Sequence, residues 1–306
     1  MKAWAIRIGA VLVLAYLGVA YYFSGEITAY KVKSFEEILI ENKITGYEDA
    51  NLPPPEEVRI SSSDVIIDGW LFMNPKNRQC GVILSHGHTA NRMGSIKFSK
   101  LFWSRGCHLL MFDARHHGKS SGAFATWGFR EKQDLINLLE WFSQKTGLPH
   151  GKIALFGSSM GAAIVMQAAP LAPDIAFVAV DSPFRDLNSE LKFRGTKLYG
   201  KPLLLLYPMA AWIAGKRGNF DTDDVSPLNA ARSIQVPVFM THTKDDEIIP
   251  YTDSEEIFAA IPHENKVLHL TDVGGHTSLI RQNPDQFKKW MDQFIEKYAP
   301  TFGVQN

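Results

Sequence analysis

The sequence changes from an apolar, strand-like run to a small-residue, helix-like run within residues 153–163, IALFGSSMGAA, and two glycines flank the change. When a buried strand turns directly into a helix, the residue at the apex is forced into a strained backbone conformation, and its neighbours two positions away must be small. Gly157 and Gly161 occupy those positions, so the G-x-S-x-G pattern predicts Ser159 at the apex. A purely structural turn would fit the pentapeptide alone, but the flanking strand and helix favour a nucleophilic serine.

Further apolar runs recur along the chain, mostly separated by helix-like segments. They are GVILSHG, HLLMFDAR, KIALFGSS, AFVAVDS, VPVFMTHT and VLHLTDV. Because these runs are continuous rather than alternating with polar residues, they predict strands buried on both faces of a parallel sheet. Before them, EVRISSSDVIIDGWLFM contains two strand-like runs around turn residues, which predicts an antiparallel hairpin at the sheet edge. The pattern therefore predicts one doubly wound α/β domain.

The alternation breaks once, between AFVAVDSPF and VPVFMTHT. The interval covers about residues 186–235, is too long for one crossover helix and contains the apolar run PLLLLYPMAAWIAG. We therefore expect a helical cap inserted into the domain.

The amino-terminal segment MKAWAIRIGAVLVLAYLGVAYYFSG has no charged residue over positions 8–23. A helix over the 20 residues 4–23 would be about 30 Å long, the thickness of a bilayer's hydrocarbon core. Residues 1–24 are therefore predicted to be a membrane anchor. A cleaved signal peptide remains open, because Gly18 and Ala20 have the spacing of a cleavage site, and so does a buried core helix.

Residues at the ends of this segment indicate its placement. Aromatic residues 21–23 lie where an interfacial belt belongs, which favours a retained anchor, and Lys2 and Arg7 favour a cytoplasmic amino end. The rest of the chain is then expected outside the cytoplasm. We predict a linker with a short helix over residues 25–55, and the α/β domain over residues 56–306.

Composition excludes one class of partner. The 32 Lys and Arg residues balance the 32 Asp and Glu residues, and no basic cluster stands out, so we expect no nucleic-acid binding. The only cysteines, Cys80 and Cys107, lack the CxxC spacing of a zinc site and the density of a disulfide scaffold.

A serine nucleophile needs a general base, and that base needs an orienting acid. VPVFMTHTKDDEIIP is a strand followed by a carboxylate-rich turn, and VLHLTDVGGHTS is a strand followed by a histidine after two glycines. We predict Asp246 as the acid and His276 as the base, with Asp245 and then Asp181 as alternatives for the acid. Solvated or capping roles are expected for the other loop histidines considered, His242, His263 and His269.

Acyl transfer also needs backbone amides that stabilise an oxyanion. ILSHGHTAN ends a central strand with a glycine turn, so we predict that the amide of His88 joins the amide of Met160. His86 and His88 lack a nearby carboxylate or third ligand, so we expect no metal there. His86 is expected to be buried and bonded to loop backbone.

The segments HGHTAN, FDARHHGKSSG, GSSMG, KDDEIIP and GGH occur in the order and spacing typical of one family. The chain resembles the α/β-hydrolase superfamily, specifically Bem46-like, membrane-anchored bacterial serine hydrolases related to prolyl-oligopeptidase-type and serine-aminopeptidase-type domains. The resemblance runs from about Glu56 to Tyr298. It implies an eight-stranded sheet, a triad of Ser159, Asp246 and His276, and no cofactor. Thr243 departs from the glycine of many relatives, and the cap is long.

The resemblance and these residues together predict a serine esterase that acts on small acyl esters or lipids. The cap run over residues 202–215 would suit an acyl-binding wall or simply pack on the domain. A thioesterase, a serine aminopeptidase using Asp221, Asp223 or Asp224, and a non-catalytic membrane-tethered binding module remain open. The oligomeric state and the physiological substrate are left open.

The family's strand order makes the strands after Cys80 and Cys107 parallel neighbours, so their sulfurs could approach bonding distance. We nevertheless expect two reduced, buried thiols.

Overall fold

The computed structural model describes residues 2–304, and eight strands in that part of the chain form one continuous sheet. The strands are β1 Glu56–Ser62, β2 Val65–Phe72, β3 Gly81–Ser85, β4 His108–Phe112, β5 Ile153–Ser158, β6 Phe177–Asp181, β7 Val238–Thr243 and β8 Lys266–Thr271. Their order across the sheet is β1-β2-β4-β3-β5-β6-β7-β8. β1 pairs antiparallel with β2 and β2 with β4, whereas every other pair is parallel. The predicted edge hairpin and mostly parallel eight-stranded sheet are confirmed.

Helices cover both faces of this sheet. They are α1 Lys2–Thr28, α2 Phe35–Asn42, α3 Ile96–Trp103, α4 Glu131–Thr146, α5 Met160–Ala168, α6 Leu187–Tyr199, α7 Leu203–Gly218, α8 Pro227–Ala231, α9 Tyr251–Ala260, α10 Leu279–Gln282 and α11 Pro284–Tyr298. The packing of α4, α5, α8 and α9 closes one apolar core, and α3 and α11 close the other. Such a doubly covered sheet is the α/β-hydrolase architecture that was predicted.

The continuous apolar runs follow from this two-sided burial. In β5, Leu155 belongs to the core under α4 and α5, whereas Phe156 belongs to the opposite core, where its ring centroid lies 4.5 Å from that of Phe98 in α3. Successive strand residues point to opposite faces, so a strand with a core on each side needs apolar residues at every position.

The segment before the sheet contains more regular structure than a bare linker. The Ser34 hydroxyl accepts the Glu37 amide, and the Glu37 carboxylate accepts the Ser34 amide, which is a capping box that starts α2. The helix α1 runs past residue 24 to Thr28, whose carbonyl accepts the Ala125 amide at 2.8 Å. The division at residues 24 and 55 stays a prediction.

The interval between β6 and β7 holds three helices, α6, α7 and α8. The apolar run predicted to form a cap lies in α7, and α7 packs along α1 rather than on the sheet. Ile27 of α1 and Ala210 and Ala214 of α7 form a small apolar cluster of their own. We therefore describe α6–α8 as the predicted cap segment, whose status as a separate unit stays a prediction.

Cys80 and Cys107 form a disulfide, so the expectation of two reduced thiols is wrong. Each cysteine immediately precedes a strand, and β3 and β4 pair in parallel with Gly81 opposite His108. The register therefore sets the cysteines side by side, with Cα atoms 4.6 Å apart, inside the usual range for a disulfide.

Candidate active site

Ser159 lies at a sharp bend between β5, which ends at Ser158, and α5, which begins at Met160. Its φ of +56° and ψ of −123° lie in a region that residues other than glycine rarely adopt. The bend places the Ser159 side chain at the carboxyl edge of the sheet and at the amino end of α5.

The two glycines around this bend are required by close backbone contacts. A Cβ atom on Gly157 would lie 2.2 Å from the Gly161 carbonyl oxygen, and one on Gly161 would lie 2.3 Å from the Ser85 carbonyl oxygen. Real Cβ atoms do not approach other atoms so closely. The bend therefore packs against itself and against the end of β3, which only glycine permits.

His276 links Ser159 to Asp246 by hydrogen bonds. The distance from His276 Nε2 to Ser159 Oγ is 2.9 Å, and that from His276 Nδ1 to Asp246 Oδ2 is 2.7 Å. Because the carboxylate can only accept, Nδ1 carries the proton and Nε2 is left to accept from the serine hydroxyl. The structure thus brings together three side chains that follow β5, β7 and β8.

Asp246 is the most heavily hydrogen-bonded of the three. Its Oδ1 accepts the amides of Ile248 at 2.8 Å and Ile249 at 3.0 Å, and its Oδ2 also lies 3.2 Å from His242 Nε2. Burial alone would raise the pKa of Asp246, but the hydrogen bonds from His242 and His276 hold that pKa well below its usual range. The carboxyl group is therefore an anion under any ordinary condition.

The two alternative acids have other partners. Asp245 accepts the amides of Gly274 and Gly275 at 3.1 and 2.8 Å, and these bonds lower the pKa of its exposed carboxyl group. Asp181 is buried and accepts the Thr241 hydroxyl at 2.8 Å. Asp245 therefore holds the loop that carries the histidine, whereas Asp246 holds the imidazole.

The expectation of solvated or capping roles is wrong for His242 and His263, whereas His269 is partly exposed. His242 is fully buried, and its Nε2 donates to the Ile249 carbonyl while its Nδ1 lies 2.7 Å from the Ser254 hydroxyl of α9. His269 stacks on Trp290 with ring centroids 4.2 Å apart. The ring nitrogens of His263 are buried and lack partners among the described residues. Packing between β7 and α9 thus removes the His242 ring completely from water.

The residues predicted to form an oxyanion site lie next to Ser159. Met160 is the first residue of α5, so its amide has no acceptor within the helix. A Cβ atom on Gly87, the residue before His88, would lie 3.3 Å from Ser159 Cβ. The turn after β3 and the start of α5 therefore both contact the serine, and the oxyanion role stays a prediction.

The side chains of the His86-Gly-His88 turn do not face a common metal position. His86 is buried; its Nε2 accepts the Ala114 amide at 3.0 Å, so its Nδ1 donates to the Gly87 carbonyl. Burial lowers the pKa of both imidazoles and keeps them neutral. Within residues 2–304, no group of three or more His, Cys, Asp or Glu side chains is arranged to hold a metal ion.

Two cavities meet at His88 and Arg194. The smaller, about 180 Å³, is lined by Ser159 and His276 and by the cations Lys33, Lys97 and Arg194. The larger, about 260 Å³, extends from His88 to the side of α1 and is walled mainly by aromatic and aliphatic side chains. Its volume is slightly below the roughly 300–1,000 Å³ of drug-sized ligand pockets, which suits a slender apolar group.

Sequence reasoning missed Tyr30, Trp127 and Arg194, which shape these cavities together with His88. His88 stacks on Trp127 with centroids 4.7 Å apart, accepts from Arg194 at 3.2 Å, and contacts Tyr30, whose hydroxyl lies 3.5 Å from Met160 Sδ. They come from four separate segments, so no local pattern in the sequence relates them. Only His242 carried a usable signal, because it is the penultimate residue of β7 and lies four residues before Asp246.

Comparisons with known proteins agree with this geometry. The sequence profile of the Alpha/beta hydrolase family matches residues 82–290. The uncharacterized protein YqkD of Bacillus subtilis is 30% identical over 302 residues, which cover 97% of this chain and 98% of YqkD. Among solved structures, the Pyrococcus furiosus esterase Pf2001 aligns with a TM-score of 0.67 and 25% identity, over 82% of this chain and 95% of that one.

A more distant structure shares the fold alone. The Pyrococcus horikoshii acylaminoacyl peptidase aligns with a TM-score of 0.65 at 18% identity, over 85% of this chain and 43% of the peptidase. The profile match covers β3 to β8 except for Gly81, together with the residues around Ser159, and YqkD matches nearly from end to end. The chain belongs to the alpha/beta hydrolase family.

Proposed function

We propose that this protein is a serine hydrolase that cleaves carboxylic esters through an acyl-Ser159 intermediate. The observation that carries the proposal is the hydrogen bond of 2.9 Å between Ser159 Oγ and His276 Nε2, with Asp246 on the far side of the imidazole. That arrangement supplies a nucleophile, a base and an orienting anion. The likeness to an esterase of the same fold supports the ester as substrate.

The reaction follows from these positions. Ser159 Oγ bonds to the ester carbonyl carbon as His276 takes its proton, and the amides of His88 and Met160 stabilise the oxyanion. The bond to the alkoxy oxygen then breaks, and the alcohol leaves with the proton from His276. Water attacks the acyl carbon in the same way, the acid departs, and Ser159 regains its proton. Throughout, the Asp246 anion stabilises the imidazolium.

Replacement of the serine tests the proposal. Ser159→Ala should lower turnover of a p-nitrophenyl acyl ester by more than about 10³-fold with little change in thermal stability. The matched control is Ser158→Ala, because that hydroxyl is not bonded to His276 in the described structure and should leave the rate of the same order. Retained activity in Ser159→Ala, or loss in Ser158→Ala alone, would contradict the assignment.

We also propose that α1 is a retained single-pass anchor, as in Bem46-like hydrolases. Residues Ala3–Thr28 are long and apolar enough to cross a membrane, which a signal sequence would also satisfy. Retention is supported by Ala20, which is fully buried, and by Tyr16, whose hydroxyl donates to the Leu205 carbonyl of α7. Cleavage after Ala20 would remove both contacts.

The catalytic domain is placed on the extracytoplasmic side in this proposal. Lys2 and Arg7 at the amino end favour a cytoplasmic amino terminus. The disulfide between Cys80 and Cys107 supports the same side, because such bonds persist in oxidising compartments.

The aminopeptidase alternative finds no support at the site. It would need a carboxylate near Ser159 to hold the substrate's amino group, but Asp221, Asp223 and Asp224 line a different cavity. Among the described residues lining the Ser159 cavity, Glu41 is the only carboxylate, and it is paired with Lys33. Comparing the turnover of a thioester with that of the matching oxygen ester tests the thioesterase alternative. Failure of Ser159 to react with a fluorophosphonate would favour a non-catalytic binding module.

A further inference from the structure

The cap helix α7 runs beside the anchor helix α1 in the same direction. Tyr16 donates to the carbonyl of Leu205 near the start of α7 at 3.1 Å, and Ser24, further along α1, accepts from Arg217 near the end of α7 at 2.9 Å. Ala20 is buried between these contacts. The two helices therefore share a common axis direction, and the start of α7 lies level with Tyr16.

If α1 spans a bilayer, the contact between Tyr16 and Leu205 fixes the depth of the start of α7 in that bilayer. Tyr16 stands seven residues before Phe23, the last aromatic residue of the predicted interfacial belt. At 1.5 Å per residue, Tyr16 lies about 10 Å below the level of Phe23, within the hydrocarbon region. A phenol hydroxyl at that depth needs an acceptor, and the Leu205 carbonyl provides it.

The surface around the start of α7 is mostly apolar and uncovered. Leu205 is 77% exposed, and large apolar side chains around it are also exposed, namely Leu204 in α7 and Leu198 and Tyr199 at the end of α6. The connection between the two helices carries one exposed cation, Lys201. The opposite end of α7 carries Lys216 and Arg217. This lengthwise division into an apolar start and a cationic end matches a helix that passes from hydrocarbon to the headgroup region.

The larger cavity connects this surface with the serine. At one end it is lined by Phe23, Tyr199 and Leu203, and at the other by His88 and Arg194, which also line the cavity of Ser159. If an acyl chain lay in this cavity, its methyl end would contact side chains at the depth of the lipid chains. Its ester end would lie beside Ser159.

We propose that the exposed apolar side chains at the end of α6 and the start of α7, namely Leu198, Tyr199, Leu204 and Leu205, are embedded in the bilayer beside α1. We propose further that the site hydrolyses acyl esters of membrane lipids, whose chains enter the larger cavity directly from the hydrocarbon. The proposal rests on the function proposed above. The occupant of the apolar surface is the same bilayer that surrounds α1, because the two surfaces are continuous at Tyr16 and Leu205.

A charge placed in this surface tests the substrate class. With the full chain in phosphatidylcholine vesicles, Leu205→Glu should lower hydrolysis of membrane-borne 4-methylumbelliferyl palmitate roughly tenfold or more, because a charge is excluded from hydrocarbon. Hydrolysis of water-soluble 4-methylumbelliferyl acetate should stay unchanged. The control Leu171→Glu replaces a leucine that is 51% exposed in the 3₁₀ turn after α5, far from Ser159, and should affect neither rate.

The outcomes separate the two proposals. Equal palmitate rates in Leu205→Glu and wild type would overturn the membrane inference while leaving the esterase intact. Absence of Ser159-dependent hydrolysis of either ester would contradict the proposed function instead.

A second measurement does not depend on activity. Both native cysteines are in the disulfide, so a single introduced cysteine is the one free thiol. A polarity-sensitive fluorophore on Leu205→Cys should be quenched by nitroxides on lipid acyl chains, whereas the same label on Leu171→Cys should not. Equal quenching at the two positions would overturn the inference.

Discussion

Reduction of the disulfide between Cys80 and Cys107 should lower stability by an amount set by the loop that it closes. The cysteines are 27 residues apart, and loop closure over that length is worth about 3.5 kcal/mol at 25 °C. The entropy of unfolding, about 2.1 cal/mol/K per residue, sums to roughly 0.6 kcal/mol/K for a domain of this size. The melting temperature Tm should therefore fall by about 6 °C on reduction.

The assay is thermal unfolding of the full chain in detergent micelles, followed by circular dichroism with and without a phosphine reductant. Thiol titration of the unfolded protein should give no free thiol before reduction and two after it, from the two cysteines in the sequence. The Tm of the double variant Cys80→Ala/Cys107→Ala should be the same with and without the reductant. It should unfold slightly below the reduced wild type, because both sulfurs are fully buried and their removal leaves space.

Esterase activity per folded molecule should survive reduction. The disulfide lies at the amino ends of β3 and β4, whereas Ser159 lies at the carboxyl edge of the sheet. Two titratable thiols in the unreduced protein, or identical Tm values with and without reductant, would refute the reasoning about the cross-link.

Two further predictions concern carboxyl groups near the site. Asp246→Asn should lower ester turnover on the order of 10⁴-fold with the fold retained, because a neutral amide no longer stabilises the imidazolium; a loss below tenfold in steady-state kinetics would contradict that role. Burial raises the pKa of Glu190 in α6 to about 8, so protonation of this carboxyl group favours the folded state. The resulting stability is fully present below about pH 4.5 and is lost as the pH rises through 8. Tm should therefore fall between pH 5 and pH 9 in the wild type and much less in Glu190→Gln, and parallel Tm profiles would exclude the effect.

The strands could be predicted from the sequence because two-sided burial leaves a direct pattern in it. β5 needs both Leu155 and Phe156 to be apolar, since each enters a different core. The meeting of Ser159 with His276 could be predicted for a related reason, because both follow parallel strands at the same edge of the sheet.

Other features depend on contacts that no local pattern records. Asp245 and Asp246 are adjacent, and which of them faces the imidazole is decided by the backbone of the turn after β7. The burial of His242 depends on Ser254 in α9. The cysteines were recognised as neighbours, but the disulfide depends on the register of β3 and β4, which the sequence alone does not set.

The pair Asp245 and Asp246 has a mechanical consequence for His276. The histidine follows β8, an edge strand whose residues are all partly exposed, and such a strand is the part of a sheet that frays most readily. The Asp245 carboxylate accepts two backbone amides of the loop that carries His276, and the Asp246 carboxylate binds the imidazole. Both hydrogen-bonding groups therefore belong to the turn after β7. Local opening of the edge strand β8 therefore does not by itself change the orientation of the His276 imidazole toward Ser159.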